Sequence, residues 1–425
     1  MSLKRIVGLV AVLVFGAIAA LVIVNLTPES PVVRQVVPHT VKASDAGFMR
    51  SMAAYSNGAI SGGTAVQTLV NGDEIFPSML AEISAARSTI NFETYIYWSG
   101  KTGYEFARAL AAKSREGVEV RVLIDWVGSL PFDEDLIRIM TDAGVRFVRF
   151  RPIHWYTLDR VNNRTHRKLL IVDGRVAFTG GVGIADEWLG DARNADEWRD
   201  THYHITGPIV AAFQAGFGEN WLEATGEALL GEGFYPALTP TGDLDAQFML
   251  SSQPSGSQNM ELMFLTALSA AQKHIRIGMA YFVPDEIAIQ QLLEARQRGV
   301  EVDVILPNHL TDVPVVRKAS RHFWGDLLKA GVRIHEYQPT MYHPKVMIVD
   351  EMFTTLGSTN FDERSLRLND EAGMNVYGVQ FTKTQIDVFE GDLKRSREIS
   401  LEEWQARPLS EKFTDWLAST LSSQI

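Results

Sequence analysis

The 425-residue chain contains no cysteine, which excludes disulfide bonds and metal sites with thiolate ligands. Positive charge is also scarce, with 40 Lys and Arg against 51 Asp and Glu and a formal net charge of −11. This balance argues against a protein that binds the nucleic acid backbone over a broad surface, although it does not exclude a local basic groove. Hydrophobic residues make up 46% of the chain, enough for a sizeable core, and the length predicts two domains of similar size.

Charged residues are absent from one long segment near the N-terminus. Residues 6–24 form an uncharged, apolar run of nineteen residues after Lys4 and Arg5, just long enough to span a bilayer as a helix. A cleaved signal peptide is the alternative, since Ala17-Ile18-Ala19 resembles a cleavage site, but the apolar run continues past it. We therefore expect an uncleaved membrane anchor over residues 1–27. The two basic residues favour a cytoplasmic N-terminus, with the body of the protein on the extracytoplasmic side.

The rest of the chain predicts an α/β fold that is used twice. Residues 28–63 carry Pro, Ser and Gly with little periodicity and indicate a linker. Beyond it, strand and helix patterns alternate in both halves, which predicts mainly parallel or mixed sheets flanked by helices. Strands are expected at 89–97, 118–125, 275–282 and 300–306, and helices at 104–114, 262–271 and 286–297. A junction at 236–245 divides the chain into lobes of residues 64–240 and 241–425.

One short pattern occurs once in each half. The copies are His166-x-Lys168 followed by Asp173 and Gly180-Gly181, and His343-x-Lys345 followed by Asp350 and Gly357-Ser358. In both copies the His and Lys are two residues apart, the Lys and Asp are five apart, and the small pair begins seven residues after the Asp. One copy alone is usually an ordinary half-exposed pair on a strand, but two copies in identical register are not expected by chance.

The spacing of this pattern suits the binding of a phosphoryl group. Residues two apart on a strand point the same way, so each histidine shares a face with the lysine of its motif. An ammonium group can neutralise phosphoryl oxygens, while an imidazole can attack phosphorus or transfer a proton. The aspartate could orient the histidine and stabilise its charged form. Small residues after the strand let the backbone approach an anion.

The two copies resemble the HxKxxxxD motifs of the phospholipase D superfamily, which together form one active site at a pseudo-twofold interface. Further segments are similar to the bacterial cardiolipin synthase branch, and the similarity extends from about residue 70 to 404. They include 117–125 (GVEVRVLID), 178–181 (FTGG), 281–285 (YFVPD) and 357–365 (GSTNFDERS). The resemblance implies two duplicated lobes, location at the bacterial inner membrane, and phospholipids and the bilayer as partners, with no nucleic acid.

The resemblance also implies roles for individual residues. One histidine attacks phosphorus and becomes a phosphohistidine, the other protonates the leaving alcohol, and an alcohol or water then releases the phosphoryl group; His166 is the favoured nucleophile. Lys168 and Lys345 would hold phosphate oxygens, while Asp173 and Asp350 would orient or support the histidines. The residues that would bind the phosphate or support the site are Gly181, Ser358, Asn360 and Glu371. Neither a metal nor another cofactor is needed.

The reaction implied by the resemblance is phosphatidyl transfer from phosphatidylglycerol, which yields cardiolipin. Hydrolysis of phospholipids to phosphatidic acid is one alternative, and another phosphodiesterase or nuclease activity of the superfamily is a second. A non-catalytic lipid-binding protein is a third, because the first copy has Gly183 where the family pattern has an asparagine and the second copy keeps Asn360. Asp186 or Asn194 could supply the missing polar group.

Three other features have simpler interpretations. Trp198-Arg199-Asp200 lies where the family places residues that brace the catalytic strands. His202 and His204 alternate on an expected strand, and without a third ligand at suitable spacing we interpret them as surface residues rather than a metal site. The C-terminal segment from residue 411 places four apolar residues on one helical face, Phe413, Trp416, Leu417 and Leu421. We expect this face to pack onto the second lobe, with a membrane-surface role as the alternative.

Overall fold

A computed structural model describes residues 33–425 except 57, 155–161 and 253–258, together with residues 4–8, 12, 15, 16 and 20 near the N-terminus. In this described part of the chain, no helix is long and apolar enough to cross a membrane. Most of the expected anchor at 6–24 lies outside the described residues. The anchor and its orientation therefore remain predictions.

The described residues form an α/β fold with fifteen strands in one mixed sheet. The elements of the first half are α1 (Ala46–Tyr55), β1 (Ile60–Val70), α2 (Asn71–Ala85), β2 (Thr89–Thr94), α3 (Lys101–Arg115), β3 (Glu119–Asp125), α4 (Glu134–Thr141), β4 (Arg146–Phe150), β5 (Leu169–Val172), β6 (Val176–Gly180), β7 (Thr201–Thr206) and α5 (Val210–Thr225). Those of the second half are β8 (Leu244–Ser251), α6 (Asn259–Ala270), β9 (His274–Met279), β10 (Phe282–Val283), α7 (Glu286–Gln297), β11 (Glu301–Pro307), α8 (Pro314–Lys329), β12 (Arg333–Tyr337), β13 (Lys345–Val349), β14 (Phe353–Gly357), β15 (Phe361–Asp362), β16 (Glu371–Tyr377), α9 (Val379–Leu393), β17 (Ser396–Ile399), α10 (Leu401–Gln405) and α11 (Leu409–Ser419).

The two halves order their strands in the same way. The first half runs β4-β3-β2-β5-β6-β7-β1 and the second runs β12-β11-β9-β13-β14-β16-β8, with β17 added at the far edge. The strands β2, β3 and β4 are parallel to one another, as are β9, β11 and β12. The halves join where β1 pairs with β8 in antiparallel fashion. This junction places the two motif strands, β5 and β13, at equivalent positions on either side of the centre.

The motif strands are buried along their whole length. All four residues of β5 and all five of β13 are buried, which explains why the sequence shows continuous apolar runs there instead of alternation. Each half has its own apolar core, and a third core crosses the central strands, where Phe213 packs on Phe248 with ring centroids 4.1 Å apart. The ends of the motif strands are therefore held on a rigid framework.

The predicted linker at 28–63 is wrong over its described part. Residues 46–55 form α1, whose Phe48 and Met52 are buried in the core of the second half, and β1 begins at Ile60. The amide of Ala43 donates a hydrogen bond to the carbonyl of Ala270. Burying a side chain such as Phe48 contributes about 1.5–3 kcal/mol. The spacing of Phe48 and Met52 was the available helical signal, but the surrounding Gly and Ser residues obscured it.

The predicted packing of the C-terminal helix is also wrong. The helix α11 forms, but Phe413, Trp416 and Leu417 point to solvent, while Asp415 and Ala418 are its buried residues. Ion pairs with arginine side chains compensate the burial of the aspartate. The helix therefore docks onto α8 through a partly polar face and leaves its apolar face uncovered.

Candidate active site

The two motif histidines lie just before β5 and β13, where each half contacts the other. The amide of His166 donates to the carbonyl of Asp370 at 2.8 Å, and the amide of His343 donates to the carbonyl of Arg199 at 2.8 Å. Each histidine segment is thus bonded through its backbone to the opposite half. The arrangement brings the two motifs together although they are far apart in sequence.

A buried carboxylate from the opposite half binds each imidazole. His166 Nδ1 lies 2.9 Å from Glu371 Oε1, and His343 Nδ1 lies 2.7 Å from Asp200 Oδ2. Both carboxylates have no exposed surface. A carboxylate at Nδ1 favours the tautomer with its proton on that nitrogen, which leaves Nε2 as the free base. Each histidine therefore presents Nε2 for attack or proton transfer, at His343 beside Lys345 Nζ at 3.0 Å, and each depends on both halves.

Burial makes both imidazoles weaker bases. It lowers the pKa of His166 to about 4 despite the opposing charge of Glu371, and the charge of Lys168 lowers that pKa further. Burial, followed by the charge of Lys345, also lowers the pKa of His343. Both imidazoles are therefore mainly neutral at pH 7 in the empty site, the form that a nucleophile or general base requires.

The lysines and carboxylates around the histidines are coupled to them. Burial lowers the pKa of Lys168 to about 7 and that of Lys345 to about 8. Burial alone would raise the pKa of Glu371, but its interactions with His166 and then with Lys168 hold that pKa below its usual range. A phosphodiester anion in the site would raise the pKa of the lysines and histidines. Substrate binding would therefore favour the charged form of both lysines.

The motif aspartates do not orient the histidines, contrary to expectation. The carboxylate of Asp173 accepts hydrogen bonds from the backbone amides of residues 87–89, and that of Asp350 accepts them from the amides of residues 272–274. Both aspartates have positive φ angles, 52° and 54°. They fix the turn after each motif strand to the start of the neighbouring strand. Glu371 and Asp200 perform the orienting role instead.

Small residues directly after β6 and β14, the strands that follow the motif strands, lie against the orienting carboxylates. Ser358 donates hydrogen bonds from its hydroxyl to Glu371 and from its amide to the carbonyl of Ala372. Gly181 occupies the equivalent position in the first half, where a Cβ atom would lie 2.2 Å from Asp200 Oδ1. There the indole Nε1 of Trp188 donates to Asp200 Oδ2 at 2.9 Å. Ser358 thus bonds to its carboxylate directly, whereas Gly181 leaves the space that Asp200 occupies.

Comparison with known families identifies this arrangement. A family profile described as "Cardiolipin synthase, PLD-like domain" matches residues 79–197 and 264–393, more than half of the chain. The chain belongs to this PLD-like cardiolipin synthase family. The two matched segments contain both motifs and Glu371, and Asp200 lies three residues beyond the end of the first segment.

Related proteins support the same assignment. The chain is 34% identical to cardiolipin synthase 2 of Bacillus anthracis over 84% of this chain and 70% of that protein. It is 34% identical to a cardiolipin synthase of Geobacillus sp. (strain WCH70), over 85% of this chain and 73% of that protein. It is also 35% identical to cardiolipin synthase A of Pseudomonas entomophila, over 80% and 70% of the respective chains.

Two solved structures share the fold at low sequence identity. Phosphatidylserine synthase of Haemophilus influenzae superposes with a TM-score of 0.66 at 14% identity, covering 88% of this chain and 99% of that one. Polyphosphate kinase of Porphyromonas gingivalis gives a TM-score of 0.53 at 13% identity, covering 92% and 57%. These similarities concern the fold alone.

Gly183 stands where the family motif has an asparagine, and its neighbour Ile96 leaves little room for a side chain at this position. A Cβ atom at this position would lie 2.8 Å from Ile96 Cβ, so an asparagine does not fit without movement of the isoleucine. Asp186 and Asn194, the suggested sources of the missing polar group, already form other hydrogen bonds. Asp186 accepts hydrogen bonds from the first amides of α3, and Asn194 donates to Glu197. In the second half the equivalent Asn360 is retained and lines the cavity described next.

A cavity of about 600 Å3 contains both histidines and Lys168. Its two walls differ in chemistry. The first half contributes mostly apolar side chains, Ile96, Trp98, Val127, Leu130 and Pro131, whereas the second half contributes many polar ones, Tyr281, Asp312, Asn360, Asp362, Arg364, Ser365 and Asn369. Within the described residues, the Oδ1 atoms of Asn360 and Asn369 are buried without a hydrogen-bond partner. The second half therefore presents several hydrogen-bonding side chains to the cavity.

The histidine pair on β7 is not placed as expected. His202 is buried, and burial lowers its pKa to about 3, so the interpretation of a surface residue is wrong for it. His204 is partly buried, with Nε2 3.1 Å from Glu82 Oε1. Among the described residues, no group of three or more His, Asp or Glu side chains could hold a metal ion.

Proposed function

We propose that this protein transfers a phosphatidyl group from one phosphatidylglycerol to another and so makes cardiolipin. One observation carries the proposal: two histidines in one cavity, each bound at Nδ1 by a buried carboxylate of the opposite half. Such a pair can supply a nucleophile and an acid–base group on one phosphodiester. The names of the relatives support the choice of lipid.

In the first half-reaction, His166 Nε2 attacks phosphorus and the bond from phosphorus to the glycerol oxygen breaks. His343, protonated in the substrate complex, donates its proton to that oxygen, so that glycerol leaves and phosphatidyl-His166 remains. We assign the attack to His166 because burial lowers its pKa to about 4, which keeps it unprotonated. Lys168 and Lys345 stabilise the negative charge on the non-bridging oxygens.

In the second half-reaction, a hydroxyl group of another phosphatidylglycerol attacks the phosphorus of the intermediate. The neutral His343 accepts the hydroxyl proton, the bond between phosphorus and His166 breaks, and cardiolipin is released. His343 is then protonated again for the next turnover. Water in place of the lipid hydroxyl would give phosphatidic acid by the same steps, which keeps hydrolysis as the competing reaction.

The polar wall of the cavity suits the glycerol groups of donor and acceptor. Hydroxyl groups could donate to carboxylate side chains of the lining, such as those of Asp312 and Asp362. The apolar wall around Trp98 and Leu130 suits the part of a lipid next to its acyl chains. This distribution favours a lipid with a polyol headgroup over a nucleic acid, whose backbone would require several cationic contacts.

We also propose that the two halves are duplicated lobes related by a pseudo-twofold axis, and that residues 6–24 anchor them to the bacterial inner membrane with the lobes outside the cytoplasm. The shared strand order supports the first proposal, and the charge-free segment after Lys4 and Arg5 supports the second. Cleavage of the lobes by protease added to intact spheroplasts would test the orientation. Protection until the cells are lysed would contradict it.

Product analysis tests the proposed reaction. Purified full-length protein in phosphatidylglycerol vesicles should produce cardiolipin and an equal amount of free glycerol, and His343→Ala should abolish both. Phosphatidic acid as the main product would instead show a hydrolase. The absence of any lipid product, combined with cleavage of DNA, would show a nuclease.

A further inference from the structure

The outer face of α11 is an exposed apolar surface beside the active-site cavity. Five large side chains on this helix and just after it have exposed fractions between 43% and 83%: Leu409, Phe413, Trp416, Leu417 and Leu421. Spacings of three and four residues place them on one side of the helix. We call these five residues the α11 stripe. The rings of Phe413 and Trp416 lie 5.8 Å apart and form its aromatic centre.

The opposite face of α11 fixes the orientation of the stripe. Asp415 forms ion pairs with Arg321 of α8 and with Arg407, and Glu411 pairs with the same Arg321. Ala418 packs into a small apolar cluster with Val316 of α8. Rotating the helix to bury the stripe would break these ion pairs and expose Ala418. The outward direction of the stripe is therefore part of the folded state.

The stripe continues into the lining of the cavity. Three and four residues after Leu421, Gln424 and Ile425 line the cavity that contains both histidines. The carbonyl of Gln424 accepts a hydrogen bond from Arg364 Nη1 at 2.8 Å, and its side chain accepts one from Asn162 Nδ2 at 2.9 Å. Leu130, from the apolar wall of the first half, also lines the cavity and is 63% exposed. Exposed apolar groups from both halves thus border the same cavity.

We propose that the α11 stripe, together with Leu130, inserts into the interfacial layer of a lipid bilayer and brings the cavity to its substrates. The proposal rests on the proposed function, because a lipid in a bilayer reaches the histidines only if the cavity meets the membrane surface. Trp and Phe beside Leu on one face of a helix are typical of helices that lie in the interface. In this position the exposed apolar face of α11 contacts lipid instead of water.

The continuity with the cavity favours a bilayer over a protein partner. A second protein seated on the stripe would lie against residues 424–425 and restrict the path by which a two-chain lipid enters. A bilayer would cover the same residues while supplying donor and acceptor lipids directly. Self-association through the stripe is the competing outcome, and the experiments below distinguish it.

Site-specific labelling tests the position of the stripe, and the absence of cysteine makes single labels possible in the full chain. Leu417→Cys and Leu230→Cys would each carry an environment-sensitive NBD fluorophore, in phosphatidylglycerol vesicles with or without nitroxide-labelled lipid. Leu230 is the matched control, since it is 76% exposed and does not line the cavity. We expect blue-shifted emission and quenching by the labelled lipid at 417, and water-like emission at 230. Equal, water-like emission at both positions would overturn the proposal, as would protection at 417 that vanishes on dilution of the protein in the membrane.

Turnover of two substrate forms separates this inference from the proposed function. The variant Phe413→Ser/Trp416→Ser/Leu417→Ser should lose at least tenfold in turnover of vesicle phosphatidylglycerol and retain wild-type turnover of monomeric dihexanoyl phosphatidylglycerol. An equal loss on both forms would show a structural role and overturn the inference. If the wild type makes no lipid product from either form while the label at 417 contacts lipid, the proposed function fails and the docking surface stands.

Discussion

Removing the negative charge from Glu371 and, separately, from Asp173 tests which of these residues orients a histidine and which one supports the fold. Glu371→Gln removes the carboxylate at 2.9 Å from His166 Nδ1, whereas Asp173→Asn changes a carboxylate that binds backbone amides at a turn. Both substitutions keep the size of the side chain. If the orienting group is Glu371, only the first substitution should act directly on the chemical step.

The size of the effect follows from the loss of one charge-assisted hydrogen bond. Such a bond contributes about 1.5–3 kcal/mol, so Glu371→Gln should lower kcat by roughly 10- to 150-fold. The carboxylate also opposes the fall in the pKa of His166. Without it that pKa should fall further, and the acid limb of the profile of kcat/KM against pH should move to lower pH. A purely structural residue would not cause this movement.

The matched variant gives the opposite pattern. Asp173→Asn should lower the thermal unfolding midpoint, because amide–carboxylate bonds at the turn weaken by about 1–3 kcal/mol in total, while kcat per folded molecule stays near the wild-type value. Cardiolipin formation at several pH values and thermal unfolding by circular dichroism measure both quantities. A fall in kcat for Asp173→Asn that equals that of Glu371→Gln, with unchanged thermal stability, would refute the reasoning.

Three further predictions follow from individual contacts. Lys168→Met removes a charge that lowers the pKa of His166, so the acid limb of kcat/KM should move to higher pH; movement to lower pH would contradict this. Burial raises the pKa of Glu93 from 4.5 to about 7, so the folded state keeps a proton that the unfolded state loses. Its contribution to the free energy of unfolding should therefore fall by about 3 kcal/mol as the pH rises from 4.5 to above 7, and Glu93→Gln should remove this part of the dependence in urea titrations; an unchanged dependence would count against it. Gly183→Asn should destabilise the protein by about 1–3 kcal/mol through overpacking against Ile96, and Ile96→Ala should restore most of that loss in the double variant; additive losses would contradict the contact.

Much of the fold followed from local patterns in the sequence. The helix expected at 286–297 has those bounds as α7, and the strand expected at 118–125 differs from β3 by one residue. Continuous apolar runs next to the motifs indicated buried strands because these strands have neighbours on both faces. Local periodicity was less informative where tertiary contacts determine the structure. Examples are the formation of α1 and the direction in which the apolar face of α11 points.

The central contacts of the site were harder to obtain from sequence. Glu371 was expected among the residues that bind the phosphate or support the site, but Asp200 was expected only to brace a strand, since 143 residues separate it from His343. The regular spacing of Asp173 and Asp350 suggested catalysis, whereas the structure shows that the spacing serves a turn with positive φ. The usable signal was a second repeat, an acidic residue at or just before the start of β7 and of β16.

The central claim is one active site in which His166 attacks phosphorus and His343 acts as the acid. A phosphatidyl ester of p-nitrophenol tests it directly, because p-nitrophenolate leaves without a proton. His343→Ala should then release one p-nitrophenolate per chain in a burst and carry the phosphatidyl group on His166, as identified by mass spectrometry, while His166→Ala should show neither. A phosphatidyl group on His343, or an equal burst from His166→Ala, would contradict the account.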